Sequence, residues 1–96
     1  MIQRFCFVKL LDDEVSRRAE LAEKLRAELV AAGAEAVVGL PADDSAARWD
    51  ISIVITAASL DAWNALSRLP AMTGVFDDLA EHAAVVKAWT FDAIEV

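Results

Sequence analysis

The chain has 96 residues, 57% of them apolar, a single cysteine and a formal net charge of −7. That length holds one domain. The acidity argues against nucleic-acid binding or an anionic membrane partner through a basic patch, and no apolar run approaches the roughly 20 residues of a membrane span.

Mean hydropathy is positive at +0.39, but much of this comes from alanine, which suits closely packed helices. No basic start followed by an apolar core and a cleavage site is visible, so a cytoplasmic protein is expected. The lone cysteine leaves no intrachain disulfide.

Ile2–Leu10 reads as a strand with apolar groups on both faces. Ile2, Cys6, Val8 and Leu10 share one face with Arg4, and Phe5 and Phe7 stand on the other. Asp12 and Asp13 end it and are placed to cap a helix running from about Glu14 to Ala32. Val15, Ala19, Ala22, Leu25, Leu29 and Ala32 make the apolar stripe of that helix. Glu14 with Arg18, and Glu20 with Lys24, are i,i+4 pairs in the favoured orientation. Gly33 sits where a helix C-terminal glycine belongs.

Glu35–Leu40 reads as a short strand and Pro41–Arg48 as a polar loop. Trp49–Thr56 is the clearest strand, with Trp49, Ile51, Ile53 and Ile55 alternating with Asp50, Ser52, Val54 and Thr56. Ser59 is an N-cap for a second helix bearing Trp63, Leu66 and Leu69. Pro70 breaks or restarts that helix. A further helical piece from about Thr73 to Ala83 carries Val75, Phe76, Leu79 and Ala80. Val85–Phe91 is the last strand, and Asp92–Val96 a tail able to extend it.

The order β-α-β-β-α-β, with the second helix in two pieces, predicts an α+β ferredoxin-like subunit: a four-stranded antiparallel sheet with its helices on one face. Right-handed crossovers place the first and third strands in the centre. Arg4, Cys6, Val8, Trp49, Ile51, Ile53 and Ile55 are assigned to the helix-covered face. The bare face then carries Gln3, Phe5, Phe7, Lys9, Ser52 and Val54, joined by Lys87, Trp89 and Phe91 of the last strand. Such a mixture of aromatic and polar groups belongs at an interface. A two-fold homodimer with sheets packed face to face covers it simply, with Phe5, Phe7, Lys9, Val54, Trp89 and Phe91 in the interface and Lys9 in its interior or at its rim.

The chain resembles a known family at three places. Ile2-Gln3-Arg4-Phe5-Cys6-Phe7-Val8-Lys9-Leu10 resembles the first strand of the stress-responsive dimeric α/β-barrel (Dabb) domains. Trp49-Asp50-Ile51-Ser52-Ile53-Val54 resembles the start of their third strand. Leu69-Pro70-Ala71-Met72 resembles the turn in their broken second helix. The resemblance implies a homodimer whose two sheets close a barrel, and a ligand pocket between sheet and helices. Most members have no established activity. Some relatives are polyketide cyclases that use histidine as an acid/base, and others with this architecture are cofactor-poor monooxygenases. Positions often held by histidine in the family are Arg4, Ile51, Leu69 and Met72 here. Histidine-based cyclisation therefore does not carry over.

The candidate chemistry is sparse. Arg4, among apolar neighbours, needs a partner: either a salt bridge to Asp50 or a helix acid, or the carboxylate or enolate of a small ligand. Asp50 opens a strand beside a loop and is a cap, an ion-pair partner or a base. His82, the single histidine, is an exposed or capping residue at a helix C-terminus, or a pocket acid/base. Cys6 reads as a small buried hydrophobe, or as a thiolate if something activates it. Trp49, Trp63, Leu66, Met72 and Phe76 are core, or with Arg4, Cys6 and Ile51 the wall of an apolar pocket. No metal site, haem ligand, glycine-rich phosphate loop or nucleophile elbow is legible, so no cofactor is expected. The sequence thus predicts a small-ligand-binding or stress-associated homodimer. The alternative is a cyclase-like or monooxygenase-like enzyme acting on a small aromatic or polyketide-type ligand, with Arg4 holding an anionic oxygen and Asp50 or His82 moving a proton.

Overall fold

The computed structural model describes residues 1–94. Four strands, β1 (Ile2–Leu10), β2 (Glu35–Gly39), β3 (Ile51–Ala57) and β4 (Ala83–Asp92), and three helices, α1 (Arg18–Ala31), α2 (Leu60–Ser67) and α3 (Pro70–His82), follow in the order β1-α1-β2-β3-α2-α3-β4. All strand pairings are antiparallel and the order across the sheet is β2-β3-β1-β4. This is the ferredoxin-like arrangement, with the two most apolar strands in the centre.

The alternation of β1 and β3 decides which face the helices cover. Ile2, Cys6, Val8 and Leu10 are buried, as are Ile51, Ile53 and Ile55. Cys6 lies opposite Ile53, and Val8 opposite Ile51. Leu21, Ala22, Leu25 and Leu29 of α1, Trp63 of α2, and Met72, Val75 and Leu79 of α3 close over them. Gly33 ends α1 in the left-handed region, φ 92°. Its N–H donates to the Val30 carbonyl and that of Ala34 to the Leu29 carbonyl, the two bonds of a Schellman stop. Ser59 caps α2 by accepting from the Ala62 N–H at 3.1 Å. Pro70 occupies the first turn of α3, so the break in the second helix is a fresh helix start.

Several local expectations are corrected. Asp12 and Asp13 cap nothing; the chain leaves β1 through a 3₁₀ stretch, Asp12–Arg17, and α1 starts only at Arg18. That stretch is tied to α3: the Leu11 N–H donates to the His82 carbonyl at 2.9 Å. Glu14 pairs with Arg17 rather than Arg18, and Lys24 with Glu28 and Asp78 rather than Glu20. The α1 stripe includes Leu21 while Ala19 is exposed, because the larger side chain takes the core position. Leu69, which falls in the turn between α2 and α3 rather than on a helix, is also exposed, as is Ala80 of α3. β4 ends at Asp92, and the Ala93 N–H donates to the Met1 carbonyl at 2.8 Å. Residues 95 and 96 of the expected tail lie outside the described residues. Among the described residues no helix is long and apolar enough to cross a membrane.

Trp49 is the main correction to the face assignment. Its N–H donates to the Ala46 carbonyl at 3.0 Å, closing the turn before β3 begins. The alternation of β3 therefore does not govern it, and its ring packs on Phe7, centroids 5.8 Å apart, on the opposite side of the sheet from the helices.

Candidate functional site

A cavity of about 350 Å³ opens between the β1–β4 half of the sheet and helices α2 and α3. Its floor is built by register. Arg4 and Cys6 follow each other on the helix-facing row of β1, and the partners of Cys6 and Val8 on β4 are Ala88 and Val86. The roof is Trp63 and Ser67 from α2, and Met72, Thr73, Phe76 and Asp77 from α3. Thr73, Phe76 and Asp77 are three and four residues apart, so one side of α3 presents all three.

Arg4 sets the electrostatics. Its Nη1 donates to Thr90 Oγ1 at 2.9 Å, and its guanidinium carbon lies 5.7 Å from the Trp63 ring centroid. A cation over an indole face is stabilised by roughly 0.5–2 kcal/mol, depending on solvent exposure. Among the described residues Arg4 makes no ion pair. Burial pushes the Cys6 thiol up, and the positive charge of Arg4 offsets part of that rise. A neutral thiol, not a thiolate, therefore floors the cavity near neutral pH.

The hydroxyl groups of the roof are already committed as donors. Ser67 Oγ donates to the Asn64 carbonyl at 2.9 Å and Thr73 Oγ1 to the Pro70 carbonyl at 3.2 Å. Asp77 is exposed.

Of the pocket residues expected from sequence, Arg4, Cys6, Trp63, Met72 and Phe76 meet at this cavity. Trp49, Ile51 and Leu66 do not line it. Trp49 stands on the other face, Ile51 is sealed in the core beside β3's start, and Leu66 packs against the core. Asp50 is also elsewhere. Buried at the far end of β1, it accepts the Leu10 N–H at 2.8 Å and faces Arg18 at 3.6 Å, while its own N–H donates to the Val8 carbonyl. Arg18, not Arg4, is its cation. His82 closes α3, with Nδ1 3.1 Å from Glu14 Oε1, away from the cavity. Neither Asp50 nor His82 is therefore placed to move a proton there. Ser67, Thr73, Asp77, Val86 and Ala88 were not anticipated. The spacing from Thr73 to Asp77 carried part of that signal, but Val86 and Ala88 depend on a register no local pattern specifies. Among the described residues no three His, Cys, Asp or Glu side chains come together to hold a metal ion.

The bare face of the sheet has its own order. Val37, Val54, Phe5 and Trp89 form one cross-strand row, and Gly39, Ser52, Phe7 and Lys87 the next. Gln3 and Phe91 are also paired, so Lys87, Trp89 and Phe91 share the face of Phe5 and Phe7. Phe5 meets Phe91 edge-on with centroids 5.7 Å apart, and Phe7 meets Trp89 at 6.0 Å. Val37 is 71%, Phe91 56% and Trp89 47% exposed in the single chain. A shallow apolar groove runs between these rings.

A four-stranded antiparallel sheet with all helices on one side and a cavity beneath them defines the class: a ferredoxin-like α+β domain. The fold is shared with several solved structures across nearly the whole chain. A protein from Arabidopsis thaliana superposes with TM-score 0.80 at 15% identity, covering 100% of this chain and 98% of that one. A dimeric ferredoxin-like protein of unknown function from Bacteroides fragilis gives 0.76 at 18%, covering 96% and 95%. An antibiotic biosynthesis monooxygenase gives 0.72 at 9%, covering 99% and 100%. No protein-family model matches the chain, and no curated protein matches it in sequence.

Proposed function

We propose that this chain is a Dabb-type subunit that works as a cytoplasmic homodimer and holds a small ligand between its sheet and α2–α3. It acts as a ligand-binding or stress-associated module. The observation that carries this reading is the cavity reaching Arg4, a guanidinium with no carboxylate partner among the described residues. The Thr90 hydroxyl and the Trp63 ring meet part of the cost of half-burying this cation, but neither supplies a negative charge, and an anionic ligand would. The dimer is supported by the aromatic rows of the bare face, and the Bacteroides fragilis protein of the same fold is described as dimeric. Phe5, Phe7, Lys9, Val54, Trp89 and Phe91 form the interface in this reading.

The test is a titration of the labelled protein with a panel of single-ring aromatics, charged and neutral, followed by amide NMR shifts. Binding at the cavity perturbs the amides of Arg4, Cys6, Thr73, Phe76 and Ala88. If no member of the panel binds, or if shifts fall only on the Phe5–Phe7 face, the reading fails.

A second reading, catalysis on an enolisable ligand, is favoured by one observation: Asp77 lines the same cavity as Arg4. There Arg4 holds the developing enolate oxygen and Asp77 accepts the proton from carbon. The check is deuterium uptake at the central carbon of acetylacetone in D₂O. The protein accelerates it, and Arg4→Met and Asp77→Asn each abolish the acceleration. Uptake at the buffer rate removes this version and leaves the binding module standing.

A further inference from the structure

The polar groups around the cavity are sorted by hydrogen-bonding role. On the sheet side stands Arg4, a group that only donates and carries a fixed positive charge. On the helix side stand three groups that only accept. The hydroxyl protons of Ser67 and Thr73 are spent on the Asn64 and Pro70 carbonyls, which leaves their oxygens to the cavity as acceptors. Asp77, one turn beyond Thr73 on α3, adds a carboxylate. Arg4 and Asp77 line one cavity without forming an ion pair, so neither cancels the other. Between the two walls lie Trp63, Met72, Phe76, Val86 and Ala88, which offer no hydrogen bond to a ligand apart from the indole N–H.

We propose that the cavity selects a dipolar, ring-sized ligand. An anionic oxygen faces Arg4, an apolar flat body lies against Trp63 and Phe76, and a hydroxyl or amine donor at the far end meets Thr73, Ser67 and Asp77. This rests on the ligand-binding reading above and specifies its substrate class. A hydroxy acid of one aromatic ring satisfies both walls at once. A dicarboxylate fails at the Asp77 wall, because like charges repel there and the acceptor oxygens gain no proton. A neutral ring leaves the guanidinium without an anion.

Three probes separate the terms: 4-hydroxybenzoate, 4-methoxybenzoate, which lacks the donor, and 4-hydroxybenzamide, which lacks the charge. Dissociation constants come from NMR titration. Replacing the carboxylate by the amide, or methylating the hydroxyl, weakens binding about tenfold or more in each case, as expected for the loss of a charge-assisted hydrogen bond. Arg4→Met makes acid and amide equal. Asp77→Ala and Thr73→Val, both at exposed positions of α3, each shrink the preference for hydroxyl over methoxyl while the preference for acid over amide persists. If the methoxy acid binds as well as the hydroxy acid, or the amide as well as the acid, the selection proposed here is wrong although a ligand site exists. If none of the three binds, and neutral aromatics do not either, the ligand-binding reading fails and takes this inference with it.

Discussion

Replacing Trp89 by alanine is the sharpest perturbation of the bare face. Trp89 contributes to no core layer; it lies across from Phe5 and 6.0 Å from Phe7, so the single chain folds without it. A tryptophan presents up to about 250 Å²; with 47% of Trp89 still exposed, dimerisation removes about 120 Å² from water, or about 3 kcal/mol per copy at 25 cal/mol/Å². The two-fold doubles this to about 6 kcal/mol, roughly four decades in dissociation constant, and incomplete cover and side-chain ordering lower it to about three. Leu69→Ala is the matched control: its side chain is 46% exposed but stands in the α2–α3 turn, off the sheet. Sedimentation equilibrium across nanomolar to micromolar concentrations reads both. The wild type and Leu69→Ala remain dimers where Trp89→Ala is monomeric, and circular dichroism is unchanged in all three. A monomeric wild type at micromolar concentration refutes the reasoning. So does a Trp89→Ala protein that dimerises like the Leu69→Ala control.

Two further outcomes test the assignments of charged groups. Asp50→Ala leaves the buried Leu10 N–H unpaired and lowers stability by about 2 kcal/mol, a fall of roughly 10 °C in Tm by differential scanning calorimetry. Ligand affinity is unaffected because Leu10 lies about 20 Å along β1 from Arg4; a Tm change under 2 °C contradicts the structural role. Lys24, by its hydrogen bond and then its charge, holds the Asp78 carboxyl below the ordinary aspartate range. A depressed carboxylate contributes stability above its unfolded-state value and loses it as pH falls through the folded-state value. The urea-midpoint difference between wild type and Lys24→Met is therefore present at pH 6 and fades below about pH 4. A difference independent of pH removes the ion pair as its cause.

Much of the architecture was legible because it depends on local chemistry. The alternation in Ile51–Ile55, the Gly33 stop, the Ser59 cap and the Pro70 restart each act within a few residues, and each appears where the pattern placed it. Trp49 failed the same logic. Its position two residues before Ile51 predicts the helix-facing side, but the turn closed by its own N–H ends the alternation first. Asp50 failed differently: its cation is Arg18, one of several arginines that no spacing singles out.

By itself the chain determined its element order, the two central strands, and the division of the sheet into a helix-covered face and an aromatic one. These follow from periodicities of 2 and 3.6 residues, which are written locally. Only the tertiary structure decided that Val86 and Ala88 join Arg4 and Cys6, that Asp77 shares their cavity, and that Asp50 and His82 do not. Strand register and helix docking bring together residues more than 70 positions apart, and such meetings are set by how whole elements pack, which no single stretch of sequence encodes.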